Sequence, residues 1–215
     1  MLNEKAKIAN LHYLYADLPE EKAHKKASRR LSKLGYELDR KNTNKDVLTA
    51  IKGDNVHINY SGTNIRNPRD IISDIALATG VQRINPQFRE RRRTTRDIMR
   101  QYGDRDFSLG GHSLGGSIAL NTVSQSKSIR DRVSKVDVFN AGYTLPFHNS
   151  IKPTDKKIKR QLDRKVNIHR VKGDLVSAYS HNDTAFGNLF EYKHKDNDAD
   201  LSDKHSLETF IDKDL

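Results

Sequence analysis

Ser113 sits in the run Leu109-Gly110-Gly111-His112-Ser113-Leu114-Gly115-Gly116-Ser117-Ile118-Ala119-Leu120. The spacing Gly111-x-Ser113-x-Gly115 is preceded by a short run ending in Leu109. It is followed by apolar residues at helical intervals, Ile118, Ala119, Thr122 and Val123. That pattern predicts strand, sharp turn and helix, the setting in which a serine hydroxyl is lifted clear of a sheet as a nucleophile. Gly111, Gly115 and Gly116 leave room for strand and helix to approach each other. The turn aims the first N–H groups of the helix, and the positive end of its dipole, at an anion formed on the serine. The N–H of Leu114 is the first oxyanion donor in this reading. Two other uses of such a turn compete with it. A purely structural tight turn needs the same glycines, and Gly110 to Ser117 has the spacing of a phosphate loop, but Gly116 stands where that loop needs lysine.

A serine hydroxyl is a weak nucleophile at neutral pH, so a base must lie within hydrogen-bond reach and an acid must fix the base's tautomer. The elements that would position them can be read along the chain. Helices are predicted from about Asn3 to Tyr15 and from Pro19 to Leu34, the second with a sparse apolar face of Ala23, Ala27, Leu31 and Leu34. Strands follow at Tyr36–Leu38, Val47–Lys52 and Val56–Tyr60, the last two joined by a Gly53-Asp54-Asn55 turn as an antiparallel hairpin. A helix begins at Asn67-Pro68 and ends at Gly80, with Asp70 and Asp74 on one face and no histidine beside them to make a metal pair. Asn85-Pro86 opens another, running to about Tyr102. Past the serine, Lys135–Asn140 and Val166–Val171 read as strands, and the lysine-rich stretch from Lys152 to Lys165 as an exposed helix or loop. Asp174 lies just past the second of these strands, where a sheet edge presents side chains to a site. Asp155, Asp183 and the Asp196-Asp198-Asp200 cluster are less directly placed. His205, His181 and His194 are the candidate bases.

The run Gly111-His112-Ser113-Leu114-Gly115-Gly116 resembles the G-H-S-L-G-G elbow of the class 3, fungal-type lipases of the α/β-hydrolase fold, and further likeness extends from about Tyr36 to the C-terminus. The resemblance implies an α/β architecture over residues 1–215, a mostly parallel sheet with helices on both faces and an antiparallel N-terminal hairpin, with residues 1–35 as helices packed on it. It implies hydrolysis of lipid esters through Ser113, Asp174 and His205, in the chain order this fold uses, with no metal and no cofactor. Lys172-Gly173-Asp174-Leu175-Val176 resembles the family's D-P-V, with Leu175 for proline. Asp203-Lys204-His205-Ser206-Leu207 resembles its C-terminal H-S-L, a histidine on a loop opening a final helix. His112 is assigned to packing or support of the site. Ser61-Gly62-Thr63 matches an R-G-T turn whose last residue is the second oxyanion donor; Thr63 takes that role here, and Ser61 departs from arginine. Ala141-Gly142-Tyr143-Thr144-Leu145-Pro146 departs from F-G-x-P-R-x-G. Residues 80–93 occupy the place of a lid but offer only Val81, Ile84 and Phe88 as apolar contacts. Phe88 with Arg89, Arg92, Arg93 and Arg96 is the candidate lid or contact with an anionic surface.

Composition bounds the partners. The 215 residues carry a formal charge of +11, with 34% hydrophobic and 31% charged residues, which implies a compact core and attraction to polyanions. Arg89, Arg92, Arg93, Arg96 and Arg100 recur at three- and four-residue steps as a cationic stripe. Each base close to an anionic lipid surface contributes about 1 kcal/mol, so a basic rim fits such a surface better than a neutral droplet. A basic nucleic-acid- or membrane-binding scaffold, with catalysis dispensable, is the alternative; aromatic residues are not interleaved with the basic runs as stacking platforms would be. No cysteine is present, which excludes disulfides and thiolate metal sites. The first seven residues hold no apolar signal core and no run reaches membrane-spanning length. A soluble protein is expected, in the cytoplasm by default and in a virion as the alternative.

Overall fold

The computed structural model describes residues 2–62, 86–142, 152–153, 155–174, 177, 186–196 and 198–211. The turn at Thr63, the helix expected over 67–80 with its two aspartates, the segment 143–151, His181 and Asp183 lie outside the described residues. The chain begins with α1 (Leu2–Leu11), α2 (Leu14–Asp17) and α3 (Glu20–Lys33). The strands are β1 (Glu37–Leu38), β2 (Val47–Lys52), β3 (Asn55–Tyr60), β4 (Asp106–His112), β5 (Val133–Phe139), β6 (Val166–Val171) and β7 (Asn188–Tyr192). They form one sheet in chain order, antiparallel from β1 to β3 and parallel from β3 to β7. Between the parallel strands lie α4 (Pro86–Gln101), α5 (Leu114–Gln125), α6 (Lys127–Arg132) and α7 (Lys156–Asp163). A short α8 (Leu201–His205) and a 3-10 turn (Glu208–Phe210) follow. The sheet is the mostly parallel one with an N-terminal hairpin that the α/β-hydrolase fold requires.

The two faces of this sheet differ in chemistry. Because successive side chains of a strand point to opposite faces, Val56, Ile58 and Tyr60 of β3 share a side with Phe107 and Leu109 of β4 and with Val136 and Val138 of β5. These residues pack against Phe88, Ile98 and Met99 of α4 and Ile118, Leu120 and Val123 of α5 in the main core. The alternating positions are polar: Asn55, His57 and Asn59 on β3, Ser108 on β4, Asp137 on β5, Asn167 and His169 on β6. Strands of a parallel sheet are ordinarily apolar on both faces. Here the second face pairs its polar groups with one another. The Ser108 hydroxyl donates to Asn55 Oδ1 at 2.9 Å and meets His57 Nδ1 at 2.9 Å, while His169 Nε2 lies 3.3 Å from Asp137 Oδ1. Lys5 of α1 reaches into this layer, toward Ser108 Oγ at 3.5 Å and Tyr36 at 3.2 Å. Burial of its amine lowers its pKa to about 8. This arrangement is how a chain with 34% hydrophobic residues covers both sides of a sheet.

Helix α1 lies on the polar face, where Ala6 and Ala9 join Phe139, Val171, Leu207 and Phe210 in a smaller apolar cluster. Helix α3 buries Ala23, Ala27 and Leu31 and leaves its lysines and arginines outside, as its sparse apolar face predicts. Three elements are not legible in the sequence: the six-residue α6, the edge strand β7 and the short α8. The helix expected over Asn3–Tyr15 is divided after Leu11 into α1 and α2.

Candidate active site

Strand β4 and helix α5 meet at Ser113, whose backbone is held at φ 56° and ψ −124°. A residue with a side chain adopts positive φ only where its surroundings fix it. They do so here: Ser113 N–H donates to Phe139 O at 3.0 Å, and Ser113 O accepts from Ser117 N at 3.2 Å and Gly142 N at 3.2 Å. The glycines are required by space. A Cβ at Gly111 would lie 2.4 Å from the backbone of Gly115, and one at Gly115 would lie 2.2 Å from Tyr60 O. At Gly116 the contact would be Ala141 Cβ at 2.8 Å. Leu114 is the first residue of α5, so its N–H has no acceptor within the helix and is available to an anion beside Ser113.

Asp174 follows β6 at the same edge of the sheet, one residue past Gly173 at φ 87°. Its buried carboxylate faces His205, with both oxygens 3.1 Å from Nδ1, and Oδ2 accepts a further hydrogen bond from Ser177 Oγ at 2.6 Å. A carboxylate accepts, so Nδ1 of His205 carries the hydrogen and Nε2 is the open acceptor. Nε2 is buried, has no hydrogen-bond partner among the described residues, and is therefore not bonded to Ser113 in this conformation. Such bonds are often long or unmade before substrate binds.

The main chain of His205 is pinned from two sides. Its carbonyl accepts from His112 Nε2 at 2.7 Å and from Asn140 Nδ2 at 3.0 Å. The first bond fixes the tautomer of His112: Nε2 carries hydrogen, so Nδ1 accepts from the Tyr13 hydroxyl at 2.5 Å. Burial pushes the His112 pKa down to about 3, with neighbouring His205 as the second cause, and the ring stays neutral. Its centroid is 4.9 Å from that of His205, close enough for a charge there to oppose charging of the candidate base. Gly62, at the end of β3, reaches the same place, since a Cβ there would lie 3.5 Å from Ser113 Cβ and 2.8 Å from Tyr13 Oη.

No protein-family model matches the sequence, and no curated protein matches it either. Solved structures do. The Lip2 lipase of Yarrowia lipolytica superposes with a TM-score of 0.53 at 16% identity, over 88% of this chain and 77% of that one. A triacylglycerol lipase, described as having a serine protease triad as its catalytic centre, gives 0.53 at 15% identity, over 91% of this chain and 80% of that one. The Rhizomucor miehei lipase–propeptide complex gives 0.51 at 16% identity, over 97% and 75%. This chain has the fungal lipase fold.

Within that fungal lipase fold the residues expected at a lid separate into different roles. Phe88 is fully buried in the main core, which corrects its assignment as a lid or surface contact: it lies on the inner face of α4 with Ile98 and Met99. Arg92 is half-buried and donates to Asn121 Oδ1 of α5, so it too is spent on the fold. Arg89 and Arg93 are exposed and Arg96 is half-buried. Buried Arg91, which the stripe had passed over, pairs with Asp46 at 2.7 Å. His205 ends α8 rather than opening a helix, a second correction; the turn it opens is the 3-10 segment at Glu208–Phe210. His194 is half-buried and bonded to its own loop at Asp196 O, 2.9 Å away, rather than to Asp174. Among the described residues no group of histidines and carboxylates could hold a metal. No helix of the described residues is long and apolar enough to cross a membrane.

Asn140 is the residue that sequence reasoning missed. It is fully buried, with φ 41° just past β5. Nδ2 reaches the carbonyls of Lys204 at 3.1 Å and His205 at 3.0 Å, and Oδ1 accepts from Val171 N at 2.9 Å. One side chain thus ties the histidine's loop to the strand that delivers the acid. The available signal was an asparagine ending a strand, a residue type that tolerates positive φ.

Proposed function

We propose that the chain is a serine hydrolase of lipid carboxyl esters, with Ser113 as nucleophile, His205 as base and Asp174 as the acid that orients it. The observation that carries this reading is His205 itself. It is buried, its Nδ1–H is committed to Asp174, and its Nε2 is left open at the sheet edge where the positive-φ serine stands. A buried, unsatisfied nitrogen is costly to maintain and marks a site kept for another partner. The named resemblance of the fold, to lipases that include a triacylglycerol lipase, agrees with it.

The reaction follows from these groups. His205 Nε2 takes the Ser113 hydroxyl proton as Oγ attacks the ester carbonyl. The resulting oxyanion is held by the Leu114 N–H, the positive end of α5, and Thr63 as second donor; a single such donor contributes about 3 kcal/mol. The imidazolium, stabilised by Asp174, passes its proton to the departing alcohol and leaves an acyl-serine. Water, deprotonated by the same Nε2, attacks the acyl-serine; the acid leaves and Ser113 regains its proton. Neutral His112 supports this cycle by adding no second cation beside His205. Arg89 and Arg93 remain as the bases that could meet an anionic lipid surface near α4.

Fluorophosphonate labelling of wild type and Ser113→Ala, beside a panel of acyl esters of increasing chain length, tests the reading. Labelling and turnover should both disappear with Ser113. Turnover by Ser113→Ala equal to wild type would overturn it.

A further inference from the structure

At the opposite end of the sheet from Ser113, a cleft of about 710 Å³ opens between α6 and α7. Arg130, Asp131 and Lys165 line it and lead into Val133 and Val166, the first residues of β5 and β6, whereas Asn140 and Asp174 follow the far ends of the same strands. A strand of this length spans about 20 Å, so the cleft is no part of the candidate active site.

Its walls carry six bases, Lys127, Arg130, Lys157, Arg160, Arg164 and Lys165, against two acids, Asp131 and Asp155. Both acids are spent. Asp131 accepts from Lys127 Nζ at 2.6 Å and from Gln161 Nε2 at 3.1 Å, and Asp155 caps α7 by accepting from the Lys157 N–H at 2.6 Å. Lys157, Arg160 and Arg164 follow one another at three- and four-residue steps and so share one face of α7. All three are exposed, and none has an ion-pair partner among the described residues. Lys159, outside the cleft, is paired with Asp163 at 2.9 Å.

Exposed bases alone make an ordinary solvated surface. Two further cations lie beneath these. Arg130 is only 5% exposed, and its Nη1 donates to the carbonyls of Val123 at 3.2 Å and Ser124 at 2.8 Å. Half-buried Lys165 donates from Nζ to Arg130 O at 2.9 Å and Val133 O at 2.6 Å. Burial lowers the Lys165 pKa; Asp131 opposes that shift and Arg130 adds to it. Charges withdrawn from water are costly unless opposite charge meets them, and within bonding distance the described residues supply only carbonyls. An anion in the cleft would complete the arrangement. Guanidinium groups bind phosphate oxygens in pairs, and the lining has no aromatic ring on which a nucleotide base could stack. The volume is that of a small-ligand site. A membrane met at this end would find the ester site facing away from it.

We propose that this cleft binds a soluble anion carrying several phosphates, held by Lys157, Arg160 and Arg164 above the charges of Arg130 and Lys165. The site is independent of the hydrolase reading.

Inorganic tripolyphosphate is the probe, titrated into the full chain at physiological ionic strength and followed by calorimetry, with orthophosphate for comparison. One tripolyphosphate per chain is expected, bound about tenfold or more tightly than orthophosphate. Arg160→Gln/Arg164→Gln should weaken it by about tenfold or more. Lys25→Gln/Arg29→Gln removes the same charge from the exposed face of α3, beside β1 at the other edge of the sheet, and should leave binding unchanged. All four side chains are exposed, so both variants keep the fold. Equal weakening by the two variants would reduce the effect to the net charge of +11 and overturn the site, as would binding of several ions without saturation. Failure to bind tripolyphosphate overturns it too, and retention on phosphatidylserine vesicles or on a DNA duplex through Arg160 and Arg164 would then reassign the cleft to that surface.

Discussion

Replacing Asn140 by alanine removes a carboxamide that bonds two separate parts of the candidate site. Val171 N–H loses its acceptor at 2.9 Å inside the protein, and an orphaned buried donor costs about 2 kcal/mol. The Lys204 carbonyl loses its donor in a partly buried place, while the His205 carbonyl keeps His112 Nε2 at 2.7 Å, so these add little. Alanine is also less tolerant than asparagine of φ 41°, which adds about 1 kcal/mol. The sum is about 3 kcal/mol, a large part of the 5–15 kcal/mol of an ordinary domain. Asn140→Gly deletes the same bonds but relieves the backbone, so it should be about 1 kcal/mol less damaging than alanine. Urea unfolding of the three proteins measures both figures. Turnover of a soluble ester should fall about tenfold or more in kcat with KM little changed, because the loop that aims His205 has lost one of its two anchors. A loss under 1 kcal/mol for alanine, or a glycine variant worse than the alanine one, would refute the assignment of Asn140 as a clamp.

The other expectations concern the elbow and the buried histidines. Ser113→Gly should abolish ester hydrolysis while raising stability by about 1 kcal/mol, or 2–4 °C in Tm for a chain of this size, since φ 56° is unstrained for glycine; Ser113→Ala should show no such gain. Gly115→Ala should lose soluble, folded protein, because its Cβ would meet Tyr60 O at 2.2 Å and strand and helix must part; normal circular dichroism and Tm would contradict this. His12, His57 and His112 all have pKa values lowered by burial, to about 4 for His12 and about 3 for His112. The unfolded chain binds protons at these sites near pH 6.5 and the folded one does not, so stability falls as pH drops from about 6.5 towards 4, by about 1.4 kcal/mol per pH unit for each histidine. Denaturant midpoints taken at pH 7, 6 and 5 should decline steeply, and a flat profile would mean that these rings are protonated in the folded state.

Much of the fold was legible because its signals are local. The hairpin turn at Gly53 between β2 and β3, and Asn85-Pro86 before α4, lie within a few residues of what they determine. Strand β7 escaped because it is an edge strand, half in solvent on both faces, with Phe190 43% exposed. Helix α6 escaped because its six residues, Lys127–Arg132, include a single apolar side chain, Ile129. Phe88 was misassigned for an instructive reason. Arginines on both sides make its segment read as surface, yet Phe88, Arg91, Thr95, Ile98 and Met99 recur at helical intervals and are the residues α4 buries. At the site, Ser113 was visible from its glycines, whereas the pairing of His205 with Asp174 spans 31 residues and rested on resemblance. The Asn140 side chain acts wholly through contacts 31 to 66 residues away, beyond any local pattern.

The polar face of the sheet has a consequence for what the N-terminal helices do. Asn55, His57, Ser108, Asp137 and His169 form a layer on the side of α1, where Lys5 reaches toward Ser108 and Ala6 and Ala9 pack with Phe139 and Val171. Tyr13, in the turn between α1 and α2, belongs to the same cover and is the donor to His112 Nδ1. The tautomer of the ring beside the candidate base is therefore held by a segment outside the parallel sheet, so the cover of the polar layer is also a wall of the candidate site.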